Sequence, residues 1–162
     1  MAPRAERYLA ALPLAARPYQ GQRAGVVSRV TAGVIDILVV LLILCGIYAV
    51  VTGFAFLLHP RTFHFPAGLG WSIPVLGLVI AVPYLTLFWR LTGRTYGDKL
   101  LGLRVVNHDG QPLHFVGALL RALFCGLFPI GLLWVAVSPA NRSVQDVVLR
   151  TSVVYDWLPT AE

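Results

Sequence analysis

Residues 37–58 read ILVVLLILCGIYAVVTGFAFLL, 22 consecutive positions without a charge. A helix that crosses a bilayer needs about 20 such residues. No ordinary soluble surface helix is apolar on every side. The helix is expected to begin near Ser28 or Arg29, which carries Asp36 into the span. A second uncharged stretch runs from 68 to 89, with Pro74 near its start, Pro83 inside it, and Trp71 and Trp89 at its two ends. Those tryptophans sit where an aromatic belt is expected. A third apolar region, 113–138, is 26 residues long. It holds Arg121, then Gly126, Pro129 and Gly131 in close succession. It reads either as one long kinked helix or as two short helices joined at that break. The second arrangement survives in a membrane only if protein covers the opened backbone.

The rest of the composition agrees. Of 162 residues, 57% are hydrophobic and 12% charged, against about 45–50% and about 25% for a soluble domain. Mean hydropathy is +0.75. A soluble globule of this size is excluded by its shortage of polar cover, and disorder by its excess of apolar residues. The expected fold is an all-α integral membrane protein. It has two full transmembrane helices, a broken or re-entrant third region and a small cytoplasmic β element. Residues 1–27 read as a cytoplasmic tail, with room for a short interfacial helix at 9–16. Residues 28–156 form the membrane domain, and 157–162 a C-terminal tail.

The formal charge is +6, from 13 basic and 7 acidic residues. In a membrane protein such an excess holds loops against an anionic cytoplasmic leaflet, so anionic lipids are expected partners. No aromatic platform alternates with the basic residues, so nucleic acid is not. Arg4, Arg7, Arg17, Arg23 and Arg29 precede the first span, only Arg61 lies in loop 59–67, and Arg90, Arg94, Lys99 and Arg104 follow the second span. The N-terminus and loop 90–112 are therefore expected inside, and loop 59–67 outside.

A repeat bears on the C-terminus. RTYGDKLLGLRVV at 94–106 aligns with RSVQDVVLRTSVV at 142–154, at an offset of 48. In each copy a hydroxyl residue (Thr95, Ser143) stands three positions before an aspartate (Asp98, Asp146). That spacing is a capping-box pattern, and a pair of valines follows. Residues 103–107 and 152–156 are expected to pair as a small cytoplasmic sheet. The pairing demands an even number of crossings, with the third region turning back near 126–131 and the C-terminus inside; the rival reading has three full crossings and the C-terminus outside.

The embedded charges are the candidate site. Arg29 and Asp36 are seven residues apart, about 10 Å along one helix face. Arg29 can snorkel to the headgroups; Asp36 cannot reach as far. A carboxylate at that depth costs several kcal/mol unless paired, hydrated or protonated. Arg121 is expected to be its partner. Arg29, Asp36, Arg121 and Asp146 then form either a ligand or ion site in a polar cavity, or a buried ionic clamp between helices. Asp146 has a second reading, as a helix-start residue answering Arg29, Arg121 or Arg142. Gly46, Ala49 and Gly53 on the first span, with Gly77 and Ala81 on the second, are expected to pack these helices together.

Catalysis finds no support. There is no phosphate-cradling loop, no His-Glu-x-x-His and no nucleophile elbow. His59 and His64 alone make no metal site, and His108 and His114 read as ordinary residues around the tight turn Asn107-His108-Asp109-Gly110. Cys45 and Cys125 read as small buried fillers. No cofactor is implied.

These residues resemble the RDD family of small bacterial membrane proteins, named for one arginine and two aspartates. The matching elements are Arg29 and Asp36 in SRVTAGVIDILVV; Gly93, Thr95 and Gly97 followed by Gly102-Leu-Arg104-Val-Val106; Arg121; and Asp146 before Thr151-Ser-Val153-Val154. They cover about residues 22–155. Arg150 departs from the pattern, where a small residue such as glycine is more usual, as does Asp98, where a basic one is. The resemblance implies a multi-pass protein of the bacterial inner membrane, and transport of unknown ligands or an accessory place in a larger envelope complex. On size, a non-catalytic accessory subunit that works through other integral membrane proteins is expected. The alternative is a small homo-oligomeric transporter or antiporter of ions or small polar solutes that uses Asp36.

Overall fold

The structure is a computed structural model that describes residues 17–65, 70–136, 138 and 142–157. Helix α1, Val26–Leu58, has 33 residues, about 50 Å at 1.5 Å per residue. That exceeds a hydrocarbon core of about 30 Å, which leaves length for the first turns, with Arg29, beyond the uncharged run. The apolar run then starts directly after Asp36. Helix α2 spans Ser72–Leu91. Pro74 falls in its first turn, where an amide has no intrahelical partner to lose. Pro83 lies inside, and the Thr86 hydroxyl donates to the Val82 carbonyl at 2.6 Å. Both helices show their apolar side chains outward; Leu42 is 72% exposed and Leu57 75%. A soluble core helix would bury them. The chain is an integral membrane protein with two helices long enough to span.

The third region is two pieces. Helix α4, Phe115–Leu127, has 13 residues, about 20 Å, too short to cross. It stops at Phe128, and a 3₁₀ turn follows over Pro129–Ala136. The Phe128 carbonyl freed by the break is met by the Gln145 side-chain amide at 2.8 Å, and Gln145 is 0% exposed. That is the protein cover a broken helix requires in lipid.

The repeat has a structural counterpart. Helix α3, Tyr96–Leu100, and strand β1, Leu103–Asn107, make the first copy. Helix α5, Val144–Val148, and strand β2, Thr151–Tyr155, make the second. Every boundary is displaced by 48. Thr95 and Asp98 form a complete capping box, and so do Ser143 and Asp146. The strands pair antiparallel from Leu103 with Tyr155 to Asn107 with Thr151. The second strand thus lies one residue earlier than expected, as the offset itself requires. Val105 pairs with Val153 at the centre; these are equivalent positions, so a local two-fold axis relates the copies. Pairing also brings the chain after the third region back beside the strand that precedes that region.

Neither edge of the ribbon is left bare. Val105 donates to the Gly93 carbonyl at 2.8 Å, and on the other side Ala24 donates to Val153 and Gly21 to Tyr155. The segment read as tail is therefore tied down from Gly21; residues 1–16, with the suggested interfacial helix, lie outside the described residues. The core gathers at this end, around Ala24, Ala32, Trp89, Leu103, Val105, Ala118, Ala122 and Val153.

Three expectations need correction. Gly46, Ala49 and Gly53 do not pack α1 on α2. All three are exposed, and a Cβ at Gly46, Gly53 or Gly77 would meet nothing within 4 Å. Helix α2 packs chiefly on α4 instead. Trp89 is not in an aromatic belt but 5% exposed in the core. Cys45 is exposed on α1 and Cys125 half-buried, both free.

Candidate functional site

The four expected charges divide between two places. Arg29, Arg121 and Asp146 meet. Asp146 Oδ1 accepts from an Arg121 Nη1 at 2.6 Å, and Oδ2 accepts from Arg29 Nη1 and from the Ser143 amide at 3.2 Å. The Thr151 hydroxyl accepts from Arg121 and faces the same carboxylate. Arg29 also donates to the Ala24 carbonyl at 3.1 Å. Arg121 is 2% exposed and Asp146 1%. The Arg121 guanidinium lies over the Trp89 ring, 5.1 Å from its centroid, a cation–π contact. Burial pushes the Asp146 carboxyl up, but Arg121 and then Arg29 outweigh it and hold it below the usual carboxylate range. This is a clamp joining α1, α4, α5 and β2.

Asp36 stands apart. Arg121 is not its partner, because α4 turns that guanidinium toward α5. Asp36 Oδ1 accepts from the Tyr84 hydroxyl at 2.8 Å and from the Gly97 amide at 2.9 Å. Its Oδ2 accepts from the Thr95 hydroxyl at 2.6 Å. All three donors are neutral. Among the described residues no Lys, Arg or His forms an ion pair with Asp36. The donors are themselves oriented. Thr95 Oγ1 accepts from the Asp98 amide at 3.1 Å, and Tyr84 from the Tyr96 amide at 3.1 Å, so each hydroxyl proton is left to point at the carboxylate.

The Gly-x-Thr-x-Gly element is the cradle of this carboxylate. Gly93 turns at φ +70, a conformation glycine adopts without strain. Thr95 caps α3. A Cβ on Gly97 would collide with the Ala32 carbonyl of α1; only glycine lets α3 approach closely enough to donate its amide. Asp98, 7% exposed, completes the cap and accepts the Trp89 indole N–H at 3.1 Å. Trp89 thus touches both places.

A second ion cluster, centred on Asp156, has no counterpart in the sequence reading. Asp156 Oδ2 accepts from Arg94 at 2.8 Å and from Arg104 at 3.3 Å. Tyr84 was also missed; it is a phenol in the middle of an apolar span, where its hydroxyl needs a partner. Among the described residues no group of His, Cys, Asp and Glu is arranged to hold a metal ion.

Comparison with known proteins now has a structural frame. The chain is 30% identical over 141 residues to the uncharacterized protein YckC of Bacillus subtilis (strain 168), covering 82% of this chain and 84% of that one. No solved structure matches it significantly. The RDD family model matches residues 23–150, a range that holds both carboxylate sites and all of α1 to α5, and the chain belongs to the RDD family.

Proposed function

We propose that this chain is a small transporter of ions or small polar solutes in the bacterial inner membrane, with Asp36 as the group that takes up and releases charge. The observation behind this reading is the neutral cradle of Asp36. A carboxylate held by two hydroxyls and an amide can exchange a proton or a cation without stranding a buried guanidinium. Asp146 cannot, because losing its charge leaves two behind. Asp36 also stands where the apolar run of α1 begins, at the depth where a path from the cytoplasm would enter. Two spanning helices and a re-entrant third enclose too little for a path, so the working unit is a homo-oligomer. Both termini lie on the cytoplasmic side, where the basic residues and the paired strands belong together.

The test is flux in liposomes loaded with a pH-sensitive dye, under imposed sodium or potassium gradients. Asp36→Asn keeps the shape and removes the charge. It is expected to insert and assemble as the wild type does and to lose flux. Undiminished flux through an assembled Asp36→Asn protein sinks the reading.

A second reading, an accessory subunit of a larger envelope or transport complex, draws on the broad exposed apolar face of α1, which a partner's helices would cover as well as lipid does. Purification from native membranes in mild detergent separates the two. A stoichiometric foreign membrane protein favours the accessory role, and a homo-oligomer alone favours transport.

A further inference from the structure

The local two-fold axis relates side chains as well as backbone, and it exposes one mismatch. In one half, Arg94 and Arg104 converge on the Asp156 carboxylate. Moving each position by 48 gives the equivalent trio of the other half: Arg142 for Arg94, Ser152 for Arg104, and His108 for Asp156. The carboxylate that serves the first half has no counterpart in the second. At that place the structure has a cleft of about 400 Å³, and its lining includes Arg142, Ser152 and His108.

Among the described residues the lining of the cleft is mainly basic. Arg23 and Arg150 line it with Arg142. The acidic residue in its wall is Asp146, whose carboxylate is fully buried and already shared by Arg29 and Arg121. The Nε of Arg142 is buried and has no hydrogen-bond partner among the described residues. His108 is exposed, with Asp109 3.5 Å from its Nδ1. Arg150 stands where the first copy has Gly102, at φ +51 against +64. The left-handed backbone costs an arginine what it would not cost a glycine, and the guanidinium held there is added to the cleft.

We propose that this cleft binds a phosphate-bearing anion, which occupies the place that Asp156 fills in the other half. Guanidiniums recognise phosphate oxygens in pairs, and a hydroxyl such as that of Ser152 supplies a further donor. The shared chemistry is a phosphate mono- or diester, whether a lipid headgroup or a soluble phosphate. Val147 and Val148 lie on the same short helix and are 54% and 62% exposed, which sets the cleft beside an apolar surface, at the level of headgroups.

The experiment uses the full chain, purified in detergent and stripped of lipid. Phosphatidylglycerol, phosphatidylcholine and inorganic phosphate are titrated separately, read by thermal shift and by native mass spectrometry. Wild type is expected to bind phosphatidylglycerol or inorganic phosphate, and not phosphatidylcholine. Retention of phosphatidylglycerol alone assigns a lipid, and a response to inorganic phosphate assigns a soluble anion. The double variant Arg142→Gln, Arg150→Gly is expected to weaken binding by at least about tenfold, since charged hydrogen bonds are lost. His108→Asp is the sharper test. It restores the missing carboxylate beside Arg142 and should abolish binding while the lipid-free protein stays folded. Lys99→Gln removes an exposed charge elsewhere and should change nothing. Equal binding by wild type, the double variant and His108→Asp overturns the proposal, and so does an equal loss with Lys99→Gln.

Discussion

Asp146→Asn and Asp36→Asn remove the same charge from two buried carboxylates, and the structure requires very different outcomes. The Asp146 carboxylate has no exposed side-chain surface and serves two guanidiniums. An asparagine there turns an N–H₂ toward an arginine donor and leaves Arg29 and Arg121 facing each other without a counter-charge. Breaking one side of a buried ion pair costs about 3–5 kcal/mol. Two pairs share this acceptor, so about 5 kcal/mol is expected, a large part of the whole stability of a typical domain. At about 2–4 °C per kcal/mol for this chain length, the melting temperature should fall by roughly 10–20 °C. At position 36 an asparagine oxygen still accepts from Tyr84 and Gly97. Its amide can donate to Thr95 Oγ1, whose proton then turns elsewhere, so about 1 kcal/mol is lost. Size-exclusion thermostability in detergent measures both. The sign of the pH dependence follows from the lowered Asp146 carboxyl. Its contribution is complete above the unfolded value of about 3.9 and disappears as pH falls through the lower folded value. The gap between wild type and Asp146→Asn should therefore stay constant from neutral pH to about 5 and close only in strong acid. A loss from Asp36→Asn equal to that from Asp146→Asn would refute the division into a clamp and a neutral cradle.

Gly97→Ala should cost about 1–3 kcal/mol by overpacking against α1 and, in liposomes, reduce flux because the amide is pushed off Asp36. Arg150→Gly relieves a left-handed arginine and should raise the lipid-free melting temperature by the equivalent of about 1 kcal/mol. Gln145→Leu leaves the Phe128 carbonyl unpaired in a buried place and should cost about 1–3 kcal/mol, seen as faster proteolysis or lower thermostability at the third region.

Much of the fold is legible in sequence because its signals are local. Twenty-two uncharged residues specify a spanning helix without reference to anything else. A hydroxyl three positions before an aspartate specifies a capped turn, and two such turns at one offset point to the paired strands. The site is less legible because its geometry is not local. Asp36 is met by Tyr84, Thr95 and Gly97, residues 48 to 61 positions away. The depth of Arg121 in an apolar stretch does not fix the direction it faces, so two carboxylates are compatible with it in sequence, and the fold selects Asp146 over Asp36. The small residues of α1 err in the same way. Gly46, Ala49 and Gly53 permit close approach, but the pattern carries no information on whether a neighbour is there. Arg150 is the converse case. It reads as a departure from a glycine, and the positive φ at that position is the physical reason a glycine fits better.

The two copies of the capped turn hold their surroundings in different ways. In each copy the cap holds an aspartate in a dry environment. The second copy is fixed by two guanidiniums and by the break in the third region, where Gln145 closes the opened backbone. The first copy meets α1 through neutral groups alone. A change of charge at Asp36 therefore alters what Thr95, Tyr84 and Gly97 donate to, and these three belong to the junction of α1, α2 and α3. The same change leaves the ion pairs of Arg29 and Arg121 intact. Trp89 is the physical link between the halves, with its indole N–H on Asp98 and its ring under Arg121. A half held by ion pairs at α1 and α4, beside a half whose hydrogen bonds converge on one neutral-cradled carboxylate, is what the proposed transport requires: under that proposal a proton or cation taken up at Asp36 acts on the helix junction and leaves the Asp146 pairs in place.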